Sequence, residues 1–146
     1  MQRRAYEWLD RHNGCGVLAL RLAIGVRLVE GTQDNVFSQA RMEEFAQFLA
    51  AHGTPWPLFS AWLSAYAQFI GGGLFILGLF TRPAGLVMTI NFVAALVIAH
   101  RATPFLQTWP ALMMLAGAVY FLFCGPGRLS LDALTRLEAR RSDRRG

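Results

Sequence analysis

The sequence predicts an all-α protein, a bundle of four transmembrane helices, and three observations carry that expectation. Between Glu44 and Arg128 the only charged residues are Arg82 and Arg101. These two arginines cut the interior into apolar segments near the length a bilayer demands, about 20 residues at 1.5 Å rise each. Nine of the remaining twelve arginines gather at the chain ends: Arg3, Arg4 and Arg11 before the first apolar run, and Arg128, Arg136, Arg140, Arg141, Arg144 and Arg145 after the last. Flanking clusters of this kind act as topology determinants.

The chain is one domain, 1–146, and its 54% hydrophobic content is high for a soluble domain of that size. The net charge of +5 would suit a nucleic-acid binder only if the arginines covered one folded face. They sit beside apolar spans instead, so nucleic acid is not an expected partner and membrane lipids are.

The first span is expected at about 14–35. Its apolar stretch Cys15–Val29 contains Arg21 and Arg27 and lacks a small-x-small cleavage site, so it reads as a retained helix and not a signal peptide. An apolarity scan alone would score it weakly. Thr32–Pro57 then forms an external segment. Within it Phe45, Phe48, Leu49 and His52 recur at helical spacing opposite Glu43, Glu44 and Gln47, with Ser38 as N-cap and Gly53-Thr54-Pro55 as the stop. This reads as an amphipathic helix on the outer interface, either a plain cap or a functional lid.

The second, third and fourth spans are expected at about 58–80, 83–100 and 106–124. Gly125-Pro126-Gly127 forces a turn, and Ser130 can cap a short basic amphipathic helix with Leu131, Leu134 and Leu137 on its apolar edge. Such a helix suits an anionic cytoplasmic leaflet. With both termini cytoplasmic, the terminal arginines and Arg82 lie inside while only Arg41 and Arg101 lie in outside segments. Trp56, Trp62 and Trp109 then mark the outer interface, with Tyr6 and Trp8 at the inner one. A multi-pass protein of a bacterial inner membrane is expected, with Arg82 fixing a cytoplasmic turn.

Lipid-embedded helices associate through close packing and polar contacts. The second span offers Ser60, Ser64, Gln68 and Gly72 at four-residue steps, and the third a row of Asn91, Ala95 and Ala99. These rows are expected to face the bundle interior. Gly71, Gly72, Gly73 and Gly78 are a packing device and not a phosphate loop, which would follow a strand and open a polar helix.

A charge at mid-membrane costs about 2.5–3.5 kcal/mol on insertion scales. The first span holds most of them. Arg27, Glu30 and Asp34 share one face, with Arg27 and Glu30 an i, i+3 pair; Arg21 points elsewhere. By depth, a pocket lined by Arg27, Glu30, Asp34, Gln68 and Asn91 is geometrically possible. Two readings stand: Arg27 and Glu30 neutralise each other while Gln68 and Asn91 bridge helices, or the group binds a polar head such as a quinone carbonyl or an anionic metabolite.

Helices two to four hold no carboxylate for a proton relay. No two histidines face each other within spans as haem ligands would; His52 and His100, both near the outer surface, are weak metal candidates. Cys15 and Cys124 fall at the same cytoplasmic level, as small packing residues or a redox pair in a reducing compartment.

The chain resembles the DoxX family of small four-helix membrane proteins. The likeness rests on GGGLFILGLFTR at Gly71–Arg82, RLAIGVRLVEGTQDN in the first span and GPGRLSLDAL at Gly125–Leu134. Many members carry a glutamate fourteen residues before the Thr-Arg arginine; Gln68 stands there, so an acid–base role does not transfer while a hydrogen-bonding one can. The resemblance implies association with membrane redox enzymes, because some relatives resemble small subunits of quinone-reducing oxidoreductases. The sequence has no catalytic motif, flavin or nucleotide fingerprint, or metal-cluster ligands, which points away from an enzyme and from an intrinsic cofactor. The resulting expectation is an accessory or quinone-associated subunit of a redox system. The alternatives are a stand-alone binder or carrier of a small polar or lipid-like molecule, and a structural assembly factor.

Overall fold

A computed structural model describes residues 13–99 and 105–135. The regular structure of those residues is helical: α1 (Asn13–Phe37), α2 (Gln39–Ala51), α3 (Pro57–Leu77), α4 (Thr81–Ala99) and α5 (Phe105–Cys124), with a last helical turn at 131–135. The long helices alternate in direction. One end of the bundle, here called basal, gathers the start of α1, the α3–α4 turn and the segment after α5. The distal end carries α2. Tyr6, Trp8, His100, Arg101, Leu137 and the terminal arginines other than Arg128 lie outside the described residues.

Three helices are long and apolar enough to cross a membrane: Pro57–Leu77, Thr81–Ile98 and Phe105–Cys124. At 25 residues α1 has the length too, but Arg21, Arg27, Glu30 and Asp34 make it too polar for that criterion. Composition and length therefore support three spans among the described residues, where four were expected.

Local chemistry sets the boundaries. The expected second span ran to 80, but α3 stops at Leu77 because Gly78 turns left-handed (φ 68°). Gly78 N–H donates to the Leu74 and Phe75 carbonyls, and Leu79 N–H reaches back to Leu74, the bond pattern that closes a helix C-terminus. α4 starts at Thr81, ahead of Pro83, because the Asp132 carboxylate accepts from the N–H groups of Phe80 (3.0 Å) and Thr81 (3.1 Å). Those are orphan donors of a helix start, and Pro83 in the first turn has no N–H to lose there.

α2 begins after Ser38, which is extended (φ −129°, ψ 117°) but makes no capping bond with its side chain. Its buried stripe is Met42, Ala46 and Leu49, against Ala61 and Ala65 of α3. The expected stripe of Phe45, Phe48, Leu49 and His52 is thus rotated. Small residues on α3 admit the Met42–Ala46 edge closely, leaving Phe45 half-buried and Phe48 and His52 exposed. At the C-terminal tail, the Ser130 hydroxyl accepts from Ala133 N–H at 3.1 Å, so this residue does cap the last turn.

α1 packs chiefly on α3 and α4 on α5, with α3 joining the two pairs, while α1 and α5 barely meet. Small residues make the tight seams. A Cβ on Gly25 would stand 2.8 Å from the Gly72 carbonyl oxygen, and one on Gly72 would stand 2.8 Å from that of Gly25. On the other pair, a Cβ on Gly85 would stand 2.8 Å from the Leu122 backbone nitrogen and 3.0 Å from the Ala118 carbonyl oxygen. Such approach gives dispersion contact that lipid tails would not give in its place. The basal core adds Phe75 on Phe121, ring centroids 4.8 Å apart, with Ile24, Met88 and Phe92 around them.

Candidate functional site

The two packed clusters leave space between them. The basal core reaches up to Phe92, and the α2–α3 cluster reaches down to Leu49. Between them lies a cavity of about 480 Å³, walled by α2, α3 and α4. It falls within the size range of small-molecule pockets. Phe45, Phe48, Leu63 and Ile90 give it apolar walls. Ser60, Ser64 and Gln68 line it at successive turns of α3, over roughly 12 Å. Asn91 and Ala95 line it from α4, and Thr54 from the loop before α3. No charged side chain is among its lining residues.

Two polar atoms on this cavity have no hydrogen-bond partner although they are buried: Asn91 Nδ2 and Thr54 Oγ1. A buried donor left unmet costs about 1–3 kcal/mol. Gln68 is partly engaged, donating from Nε2 to Ser64 Oγ at 3.1 Å. The cavity therefore offers hydrogen-bond donors near mid-depth and at the distal rim, joined by an apolar sleeve. That combination suits a neutral molecule with a flat or chain-like apolar body and polar atoms that accept.

A second, smaller cavity of about 240 Å³ opens between α1 and α5. Arg27, Gly31, Gln68, Gln107 and Pro110 are among its lining residues. Gln68, Phe92 and Ala111 line both cavities, so the two share a wall.

The proposed five-residue group is thus distributed over two spaces. Gln68 and Asn91 share the larger cavity; Arg27 and Gln68 share the smaller. Glu30 and Asp34 are exposed and line neither. Arg27 and Glu30 do not form an ion pair; the ion pair found among the described residues is Arg41–Glu44 at 3.0 Å, on exposed α2. The two small-residue rows face each other across the larger cavity at Ser60, Ser64, Gln68, Asn91 and Ala95, while Gly72 turns to α1. Arg82 donates to the Phe123 carbonyl at 3.3 Å, tying the α3–α4 turn to the end of α5. His52 ends α2 with Nδ1 2.8 Å from the Phe48 carbonyl oxygen, and no group of three or more metal-ligating side chains exists among the described residues. Cys15 and Cys124 are free thiols and exposed.

Sequence reasoning passed over the most buried charged residue among those described. Arg21 is 2% exposed. Its Nη1 donates to the Pro126 carbonyl at 2.7 Å and its Nη2 to that of Ile76 at 3.5 Å. The guanidinium fills the space beside Gly78 that any side chain there would need. Asp132, whose N–H donates to the Gly78 carbonyl, lies close enough for electrostatic attraction to Arg21. Arg21, Gly78, Thr81, Pro126 and Asp132 thus form one basal knot, built from three separated stretches. The available signal was a lone acid, Asp132, after a Gly-Pro-Gly turn. A single helical wheel cannot connect it to Arg21.

Comparison with known proteins bears on the family of the chain. The DoxX family model matches residues 16–101, from α1 to just beyond α4. An uncharacterized membrane protein of Mycobacterium tuberculosis is 33% identical over 132 residues, covering 80% of this chain and 78% of the relative. No solved structure matches. Family match and relative together identify this chain as a membrane protein that belongs to the DoxX family.

Proposed function

We propose that the protein binds a neutral, largely apolar molecule with carbonyl acceptors, of the quinone class, in the cavity between α2, α3 and α4. The observation that carries this reading is the pairing of an apolar, uncharged lining with two buried polar atoms that lack partners, Asn91 Nδ2 and Thr54 Oγ1. A carbonyl oxygen meets such a donor and removes its desolvation cost. α1 serves as a fourth span in this reading, because it has the length and packs chiefly on α3. The excess of arginines in the sequence flanking the first and last long helices supports a cytoplasmic basal end beneath an inner membrane.

Bound quinone would serve a membrane redox system in which this chain is an accessory subunit, as the family resemblance implies. The same cavity would serve a stand-alone carrier of a lipid-like molecule. Two measurements separate these outcomes. Titration of the detergent-purified chain with a short-chain benzoquinone should give saturable binding, weakened about fivefold by Asn91→Leu or Thr54→Val, the worth of about one hydrogen bond each. Absence of saturable binding to the folded chain sinks the quinone assignment. Gentle extraction followed by mass spectrometry tests the accessory role, which fails if the chain emerges with neither a redox enzyme nor quinone.

A further inference from the structure

The smaller cavity differs in kind from the larger one. It holds a cation. Arg27 lines it, and every other lining side chain is neutral. No hydrogen bond or ion pair joins Arg27 to any described residue, and its Nη1 folds back to within 2.8 Å of where a Cβ of Gly31 would stand. Gly31 thus leaves room for the guanidinium to lie along α1. Arg27 sits ten residues below the distal end of α1, roughly 15 Å along the helix. An arginine at such depth in a span is expected to have a partner.

The seam around it explains access. α1 touches α5 where Ile24 sits on Gly117, and nearer the base Val17 lies against Gly127, just beyond that helix. Toward the distal end they part, and the cavity fills the gap. Pro110, inside α5, has no N–H for the Leu106 carbonyl and so weakens the first turns of that helix. Gln107 in those turns is exposed, and Gln68 keeps one amide N–H beyond the bond to Ser64. A guanidinium fork beside two carboxamide NH2 groups can turn several N–H donors toward one oxyanion, the arrangement that binds phosphate or carboxylate.

We propose that Arg27, Gln107 and Gln68 form a second site, distinct from the quinone-class cavity, which takes a phosphate or carboxylate group through the open seam between α1 and α5. The oxyanion comes either from an anionic lipid head, entering sideways from the bilayer, or from a soluble ion entering at the distal mouth.

The test uses the full chain in a neutral detergent. It is offered equal amounts of phosphatidylglycerol and phosphatidylcholine and weighed intact by native mass spectrometry; in a parallel arm its melting temperature is followed against inorganic phosphate. The wild type should retain phosphatidylglycerol over phosphatidylcholine by about tenfold, and Arg27→Gln and Gln107→Leu should each cut that preference severalfold. Arg41→Gln, at an exposed cation elsewhere, should leave it unchanged. A lipid source is supported if only the lipid preference depends on Arg27. A soluble source is supported if phosphate raises the melting temperature of the wild type and not of Arg27→Gln. Equal behaviour of Arg27→Gln and wild type in both arms overturns the site. Should Arg27→Gln fail to fold, Gln107→Leu and Arg27→Lys decide, and wild-type preference in both overturns it as well. Asn91→Leu leaves every one of these readouts in place, so failure here and failure of the quinone assignment are separate results.

Discussion

The basal and distal halves of this bundle both contain buried polar atoms without partners, and they differ in what surrounds those atoms. At the base, Arg21 Nε and Thr81 Oγ1 are unmet, yet Arg21 is clamped by the Pro126 carbonyl and packed beside Gly78. Neither residue lines either of the two cavities described. At the distal end, Asn91 Nδ2 and Thr54 Oγ1 border a cavity of about 480 Å³. The contrast teaches that an unmet polar atom marks a binding site only where volume lies next to it. Elsewhere it is a cost carried by a knot that holds the fold.

Mutations can sharpen this contrast, beginning with the largest effect. Arg21→Met should remove the charge-assisted bonds to two backbone carbonyls and the attraction of Asp132, lowering stability by about 3 kcal/mol; the melting temperature in detergent should fall sharply or the chain should aggregate. If that variant melts like the wild type, the basal knot is not what holds the bundle. Gly25→Ala comes next. Its new methyl would meet the Gly72 carbonyl oxygen at 2.8 Å, so α1 and α3 must separate, at a cost of about 1–3 kcal/mol. Denaturant titration in mixed micelles reads this change directly.

Asn91→Leu should behave in the opposite way. Replacing an unmet amide by an apolar group of similar size should leave stability unchanged or raise it by about 1 kcal/mol. A large loss of stability there would mean that Asn91 is a packing residue and not part of a pocket. Smallest of all is Arg41→Ala, which breaks the exposed Arg41–Glu44 pair. A shift beyond about 0.5 kcal/mol would be surprising for so solvated a contact.

The same contrast separates what could be read from the sequence and what could not. α3, α4 and α5 are legible because uninterrupted apolar runs have few other stable uses, and the boundaries moved only where a left-handed Gly78 or a distant Asp132 intervened. The nearness of Gln68 and Asn91 follows from counting turns on two antiparallel helices. The separation of Arg27 from Asn91 does not, because it depends on Phe92 and Ala111 standing between two spaces. α2 was readable as an amphipathic helix, but its buried edge was chosen by the small residues of α3. Arg21 stayed hidden for a related reason. Its partners are backbone carbonyls, and side-chain chemistry in a sequence gives no sign of which carbonyl will be left without a donor.

The bond from Arg21 to the Pro126 carbonyl joins residues 105 positions apart, and that distance is also an interval of time. At the usual pace of translation, about 5–20 residues per second, the acceptor for Arg21 is made roughly 5–20 s after the arginine itself. Throughout that interval the first helix carries an uncompensated guanidinium, and only the arrival of the tail completes its burial. The segment that follows α5 therefore acts as a closing signal for α1. A chain cut short after α5 would keep every apolar helix and still present its opening helix to the cell as unfinished.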